Sequence, residues 1–223
     1  LTSYSPIAVS PLQAWHTGHG ARFADVNGWR VAMAYSAVAE ECAAARNRLA
    51  LADISFLSKT TVHGRQFVAG LLDSFAPGTV GPLGEDQGWI CCLSEVHCLL
   101  LSALEQDAVR GFVQRTPAYK AELVFDSTAT YAGLALFGPE HGGVLRRLTS
   151  FDVERLALPG TCAETGLAGV HAVLVRPPGS LPGMQIYVAW EMAEYVCERL
   201  LETAGAAALQ PLGREALKIL WRL

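Results

Sequence analysis

One order of elements occurs twice along this chain, and it constrains the fold more than any other feature. Residues 60–64 (Thr-Thr-Val-His-Gly) read as a strand ending in glycine, and a helix follows through Phe67, Leu71 and Leu72. Residues 88–93 and 97–102 read as a buried hairpin, 103–115 as a helix and 122–125 as a strand. Residues 134–138 then form a second strand ending in glycine, with a helix through Val144, Leu145 and Leu148. A hairpin at 170–175 and 185–189, a helix at 190–204 and a short strand at 207–209 complete the second round. Each round reads βαββαβ, so the expected fold is α+β, built from two split-βαβ modules of one ancestry. The plainer reading is coincidence between two common α+β patterns. Two such modules would pack about a pseudo-twofold axis, and a ligand pocket is expected at their interface. The expected divisions are 1–55 for N-terminal helices and a hairpin, 56–128 for the first module, and 129–223 for the second module with a terminal helix from residue 212.

The segment ahead of the repeat has its own signals. Ser10-Pro11 reads as a helix start with a hydroxyl cap, the helix running through Trp15 and His16 to Gly20. Asn27-Gly28 is a strong hairpin signal between strands at 21–26 and 29–33. Ser36 reads as the cap of a second helix with Val38, Cys42, Ala45 and Leu49 on one face, and residues 51–54 return as a strand.

Half of the 223 residues are hydrophobic and the net charge is −4, so the chain can build a sizeable core. No Lys/Arg cluster appears, which argues against a nucleic-acid partner. No apolar run approaches the roughly 20 residues a spanning helix needs, and residues 1–10 carry no signal-peptide pattern. The six cysteines have neither metal-pair nor disulfide-scaffold spacing, and four lie in apolar patterns. A reduced, cytoplasmic protein is expected. His16 and His19 stand at i and i+3, a spacing that can present two imidazoles to a metal, but no third ligand accompanies them and no metal is expected. No phosphate loop or Ser/Cys–His nucleophile motif is present.

Pro11-Leu-Gln-Ala-Trp-His-Thr-Gly-His-Gly-Ala-Arg-Phe-Ala-Asp-Val-Asn-Gly-Trp resembles the opening of the glycine-cleavage T-protein (aminomethyltransferase) family. Tyr35-Ser36 with Glu40-Glu41 and Arg46, Leu51-Ala-Asp-Ile-Ser, Leu136-Phe-Gly-Pro-Glu and Gln185-Ile-Tyr-Val follow in that family's order. The resemblance runs from about Ser10 to about Leu220. It implies the family's folate-binding domain, with a tetrahydrofolate site at its centre. The C-terminal β-barrel of typical members is expected to have no counterpart in this sequence. Gly213-Arg-Glu-Ala-Leu-Lys-Ile-Leu is similar to the folate-binding halves of sarcosine oxidase and dimethylglycine dehydrogenase.

The resemblance also nominates site residues. Cys91 or Cys92 stands where the family carries a functional carboxylate in G-G-x-L-D-D. A thiol with a pKa near about 8.5 is mostly neutral at pH 7 and substitutes poorly for general acid–base work. The alternative is two core cysteines on a buried strand, only one of which can face a given side. Gln185 replaces the family's pterin-gripping Glu, Arg176 is what remains of its preceding loop, and Ser102 replaces an Asn. Ser102 reads equally as a helix cap, and Gln185 as an outward polar residue. Tyr35 matches a family position, Arg214 lies within one residue of a folate-tail Arg, and Asp53 reads as a turn brace. The implied function is a tetrahydrofolate-binding, aminomethyltransferase-like protein of one-carbon metabolism with altered or lost catalysis. The alternative is a non-catalytic folate-binding or scaffolding subunit of a complex such as a flavin-dependent amine oxidoreductase. The implied partners are folate and either a lipoyl carrier protein or a flavin amine dehydrogenase subunit, in a hetero- or homo-oligomer. The K-G-C-x-x-G-Q motif of the family's iron–sulfur-assembly branch is absent.

Overall fold

Alternation along the strands decides the architecture. On β7 (Gly88–Cys92) and β8 (His97–Ser102), Cys91, Leu99 and Leu101 point to one core, and Ile90, Cys92, Cys98 and Leu100 to another. A sheet apolar on both faces must be covered on both. The computed structural model describes residues 7–72, 76–83, 88–102, 111, 123–179, 181–205 and 209–221. In it the first module is a five-stranded sheet in the order β6-β7-β8-β5-β9, with β5 at Ser58–His63, β6 at Val80–Pro82 and β9 at Leu123–Asp126. The second has β10 (Tyr131–Phe137), β11 (Thr161–Leu167), β12 (Val170–Arg176), β13 (Gly183–Ala189) and β14 (Leu209–Leu212). Its order is β11-β12-β13-β10-β4-β14, with β4 (Leu49–Asp53) inserted from the N-terminal segment.

The repeat is therefore a repeat of topology. Remove β4 and the two strand orders are the same. Each round holds one strand more than its sequence suggests, β6 and β11. These extra strands meet end to end around an antiparallel Thr79–Thr161 bridge. The Val80 amide donates to the Gly160 carbonyl and the Cys162 amide to the Gly78 carbonyl, both at 2.8 Å. Antiparallel pairing of equivalent strands is the local form of a twofold relation. Gly64 and Gly138 follow β5 and β10 in equivalent places. Opposite β5, Leu99 faces Thr61; opposite β10, Gln185 faces Ala135. Leu99 of β8 thus corresponds to Gln185 of β13.

Three cores follow. Leu134, Leu136, Leu174, Ile186 and Val188 pack beneath the second sheet against α4 (His141–Arg146) and α5 (Ala193–Ala204). Val62, Ile90, Cys98 and Leu100 pack on the outer face of the first sheet with Phe67 and Val68 of α3 (Arg65–Leu72). Between the sheets lie Leu57, Cys91, Leu101, Phe137, Val175 and Tyr187. The last core continues under β4 and β14, where Cys42 and Ala45 of α2 (Val38–Asn47) and Leu217 of α6 (Arg214–Trp221) close it. The expected helix at 103–115 lies outside the described residues, apart from Gly111.

Two helix starts differ from expectation. The first helix, α1, spans Gln13–Gly18, and Ser10 lies ahead of it, accepting from the Leu12 amide at 3.0 Å and donating to Asp53. Ser36 does not cap α2; the Glu41 carboxylate accepts from the Tyr35 and Ser36 amides at 2.6 and 2.9 Å and from the Gly213 amide at 2.7 Å. A buried carboxylate with three backbone donors outweighs one serine hydroxyl. The Asn27-Gly28 hairpin forms as read, both residues having positive φ between β2 (Arg22–Val26) and β3 (Trp29–Ala34). Those strands and β1 (Ala8–Val9) make a small separate sheet.

Candidate functional site

A cavity of about 410 Å³ opens at one end of the layer between the two sheets, within the roughly 300–1,000 Å³ of small-molecule sites. The start of β7 and the end of β8 form one wall, through Gly88, Trp89, Leu101 and Ser102. Gln185 and Tyr187 of β13 form the opposite wall, and Pro177, Pro178, Gly179 and Leu181 the rim. Leu220 and Trp221 of α6 close the side.

Backbone geometry builds the first wall. Gly88 lies opposite Ser102 with a φ of +143°, and a Cβ there would stand 2.0 Å from the Leu101 carbonyl oxygen. Only glycine permits this approach, and it sets the neighbouring Trp89 against the opening. Arg176 builds the rim. Its buried guanidinium donates to the Leu181 and Gly183 carbonyls at 2.7 and 2.8 Å, tying the two ends of the β12–β13 connection. Burial lowers its pKa from the usual arginine range. On the second wall Gln185 and Tyr187, two residues apart on one strand, share a face, and the Tyr187 hydroxyl donates to Gln185 Oε1 at 2.9 Å.

Of the predicted site residues, Ser102 and Gln185 line this cavity together, and Arg176 braces its rim. The others lie elsewhere. Cys91 faces the inter-sheet core and is fully buried, and burial pushes its thiol pKa up. Cys92 faces the outer core, where the Cys98 thiol donates to it across 3.7 Å and lowers its pKa. All six cysteines are free and buried. Arg214 sits over the Phe56 ring, 5.7 Å from its centroid. Tyr35 belongs to a polar cluster under α1. Its hydroxyl donates to His16 Nδ1 at 2.5 Å, and His16 Nε2 donates to Asp53 Oδ2 at 2.7 Å. Asp53 Oδ1 accepts from the Ser55 amide at 2.8 Å, the turn brace expected of it. Burial would raise the Asp53 pKa, but hydrogen bonds from His16, Ser10 and Ser55 hold it below the usual value. Tyr35 also borders a second cavity of about 640 Å³ with Glu40 and Arg48. Among the described residues no cluster of three or more metal-ligating side chains occurs, and no helix is long and apolar enough to cross a membrane.

Sequence reasoning missed Trp89, Tyr187, Trp221 and Lys59. The first two share a strand face with nominated residues, Trp89 with Cys91 and Tyr187 with Gln185, and that i, i+2 relation was a usable signal. Lys59 is fully buried, its Nζ donating to the Ser55 and Leu57 carbonyls at 2.8 and 2.7 Å. Burial pushes its pKa down to about 7 against the opposing pull of Asp53 and Asp126. It holds the turn that brings Leu57 to the cavity floor.

Among the described lining residues none is ionisable near neutral pH, and those residues can stack against a ligand and hydrogen-bond it. Comparison with known proteins bears on the chain as a whole. A profile described as the GCVT N-terminal domain matches residues 12–222. The chain belongs to that family. An aminomethyltransferase of Streptomyces coelicolor is 30% identical over 93% of this chain, and one of Mycobacterium tuberculosis is 30% identical over 91%. This GCVT-family chain spans about three-fifths of those relatives, 61% and 59% of their lengths. Among solved structures, the glycine cleavage system aminomethyltransferase T of Bartonella henselae has the same fold, with a TM-score of 0.73 and 20% identity. That match covers 96% of this chain and 62% of the other. A chain of the heterotetrameric sarcosine oxidase of Corynebacterium sp. U-96 matches with a TM-score of 0.58 at 20% identity, covering 77% of this chain and 93% of that one. The fold and family expected from the sequence are thus the ones observed.

Proposed function

We propose that this chain binds tetrahydrofolate in the inter-sheet cavity, as an aminomethyltransferase-like module of one-carbon metabolism whose transfer chemistry is altered or lost. The observation that carries the reading is the meeting of Ser102 and Gln185, from equivalent hairpins of the two modules, on opposite walls of one cavity. Trp89 offers a ring face for stacking a planar heterocycle, worth about 0.5–1.5 kcal/mol beyond area burial. Gln185 and Ser102 hold the heterocycle edge and Arg176 fixes the rim, while Tyr35 and Arg214 serve the fold away from the cavity. The cavity's volume of about 410 Å³ and its aromatic and amide lining suit a bicyclic heterocycle. When bound, tetrahydrofolate supplies the nitrogens that accept a one-carbon unit. The chain's contribution is to bind, orient and exclude water. Cys91 and Cys92 serve the cores on either side of the first sheet.

A specific observation favours the non-catalytic alternative as second reading. A described lining without a group that ionises near neutral pH suits a binding or scaffolding subunit, and the fold match covers 93% of one chain of a heterotetrameric oxidase. In that reading the partner is a flavin-dependent amine oxidoreductase subunit; in the first it is a lipoyl carrier protein. Calorimetric titration with tetrahydrofolate and 5-formyltetrahydrofolate tests the site. Micromolar binding, on the order of −8 kcal/mol, supports it, and no heat at millimolar ligand refutes it. An aminomethyl-transfer assay with a lipoyl carrier protein then separates the two readings.

A further inference from the structure

The Gln185 amide is anchored by a neighbouring phenol. Its residue is 3% exposed, and its Oε1 accepts the Tyr187 hydroxyl at 2.9 Å. Tyr187 is fully buried, and burial pushes its phenol pKa well up, so the hydroxyl keeps its proton and remains a donor. Oε1 retains one lone pair. Nε2 carries two N–H groups and makes no hydrogen bond among the described residues, although Gln185 lines the cavity. The wall therefore presents one acceptor beside one donor. Trp89 and Trp221 supply aromatic surface on other sides, and no charged side chain in the described lining competes for the ligand edge.

A carboxylate at this place would match two adjacent N–H donors. A primary amide matches one N–H donor next to one carbonyl acceptor. We infer that Gln185 makes the cavity read the lactam edge of a neutral planar heterocycle rather than an amino-amidine edge. The inference rests on the proposed reading of the cavity as a heterocycle site, and it names the ligand chemistry that site selects. A 2-amino-4-oxo bicycle carries both edges. Its 2,4-dioxo analogue keeps the lactam edge and replaces the amino donor with an acceptor. A site that grips the amino-amidine edge rejects the dioxo ring, because its acceptors are left unpaired. A lactam-reading site accepts both.

The test uses pterin, lumazine and 3-methyllumazine, with tryptophan-fluorescence and calorimetric titration of the full chain. Lumazine is expected to bind within about five-fold of pterin. 3-Methyllumazine, which lacks the N3 proton, is expected to bind at least about ten-fold more weakly, the range of one lost buried hydrogen bond. Gln185→Glu, checked for folding by its melting temperature, should turn the preference toward pterin by about ten-fold or more. The wild-type comparison stands even if that variant does not fold. A wild-type preference for pterin beyond about five-fold, or equal binding of the N-methyl analogue, overturns the inference and leaves the heterocycle site intact. Binding of none of the three overturns the heterocycle reading itself.

Discussion

Lys59 provides a quantitative test of how dry the layer between the sheets is. Its ammonium is fully buried against two backbone carbonyls, and its pKa falls from 10.5 to about 7, chiefly through burial. Between those values the unfolded chain binds a proton that the folded chain does not. Stability therefore rises with pH through this window, by up to about 1.4 kcal/mol per pH unit. The destabilisation is full below pH 7, absent above 10.5, and totals about 5 kcal/mol. Lys59→Met removes the titrating group along with the bonds to Ser55 and Leu57. At pH 10 the wild type should have gained about 3–4 kcal/mol on the variant. Urea denaturation of both proteins at pH 7, 8, 9 and 10 measures this, since tyrosine and thiol ionisations common to both drop out of the difference. A difference constant to within about 1 kcal/mol across the series would refute the reasoning, because a solvated ammonium has no such window.

Three further outcomes follow from particular contacts. Gly88→Ala drives a methyl group to 2.0 Å from the Leu101 carbonyl, so it should cost more than about 3 kcal/mol, read as a large fall in melting temperature; a melting temperature within about 2 °C of wild type contradicts this. Tyr35→Phe leaves His16 Nδ1 buried without its donor and should cost about 1–3 kcal/mol in denaturant unfolding, with tetrahydrofolate affinity unchanged, whereas a ten-fold loss of affinity would put Tyr35 in the site. Cys91→Asp buries a carboxylate in the inter-sheet core. The desolvated acid has a raised folded pKa, so relative to wild type the variant is least destabilised below about pH 4 and loses ground as pH rises; it gains no folate affinity, and a gain would place position 91 on the ligand.

The twofold order of elements was legible because each β-hairpin is a continuous apolar run between turn residues, and each leading strand ends in glycine. β6 and β11 escaped notice for the opposite reason. Val80-Gly-Pro is three residues long with two strand-weakening members, and Thr161–Leu167 mixes half-exposed polar groups with its buried Cys162 and Leu167. The placement of β4 in the second sheet is a tertiary choice that no local pattern encodes. At the site, resemblance pointed to Ser102 and Gln185, and both line the cavity. The same resemblance pointed to Cys91 and Cys92, but alternation sends one into each flanking core, and the cavity takes Trp89, two residues earlier on the Cys91 face. The burial of Lys59 was invisible in sequence because the carbonyls that receive it come from a turn whose path the tertiary fold sets.

The central claim is that the ligand lies between Trp89 and Gln185. A crystal structure of the chain with 5-formyltetrahydrofolate tests it most directly. The account predicts the bicyclic ring in the inter-sheet cavity, with a heterocycle edge against the Gln185 amide and a ring face toward Trp89. A ligand seated in the second cavity beside Tyr35 and Arg48, or on neither, would contradict it.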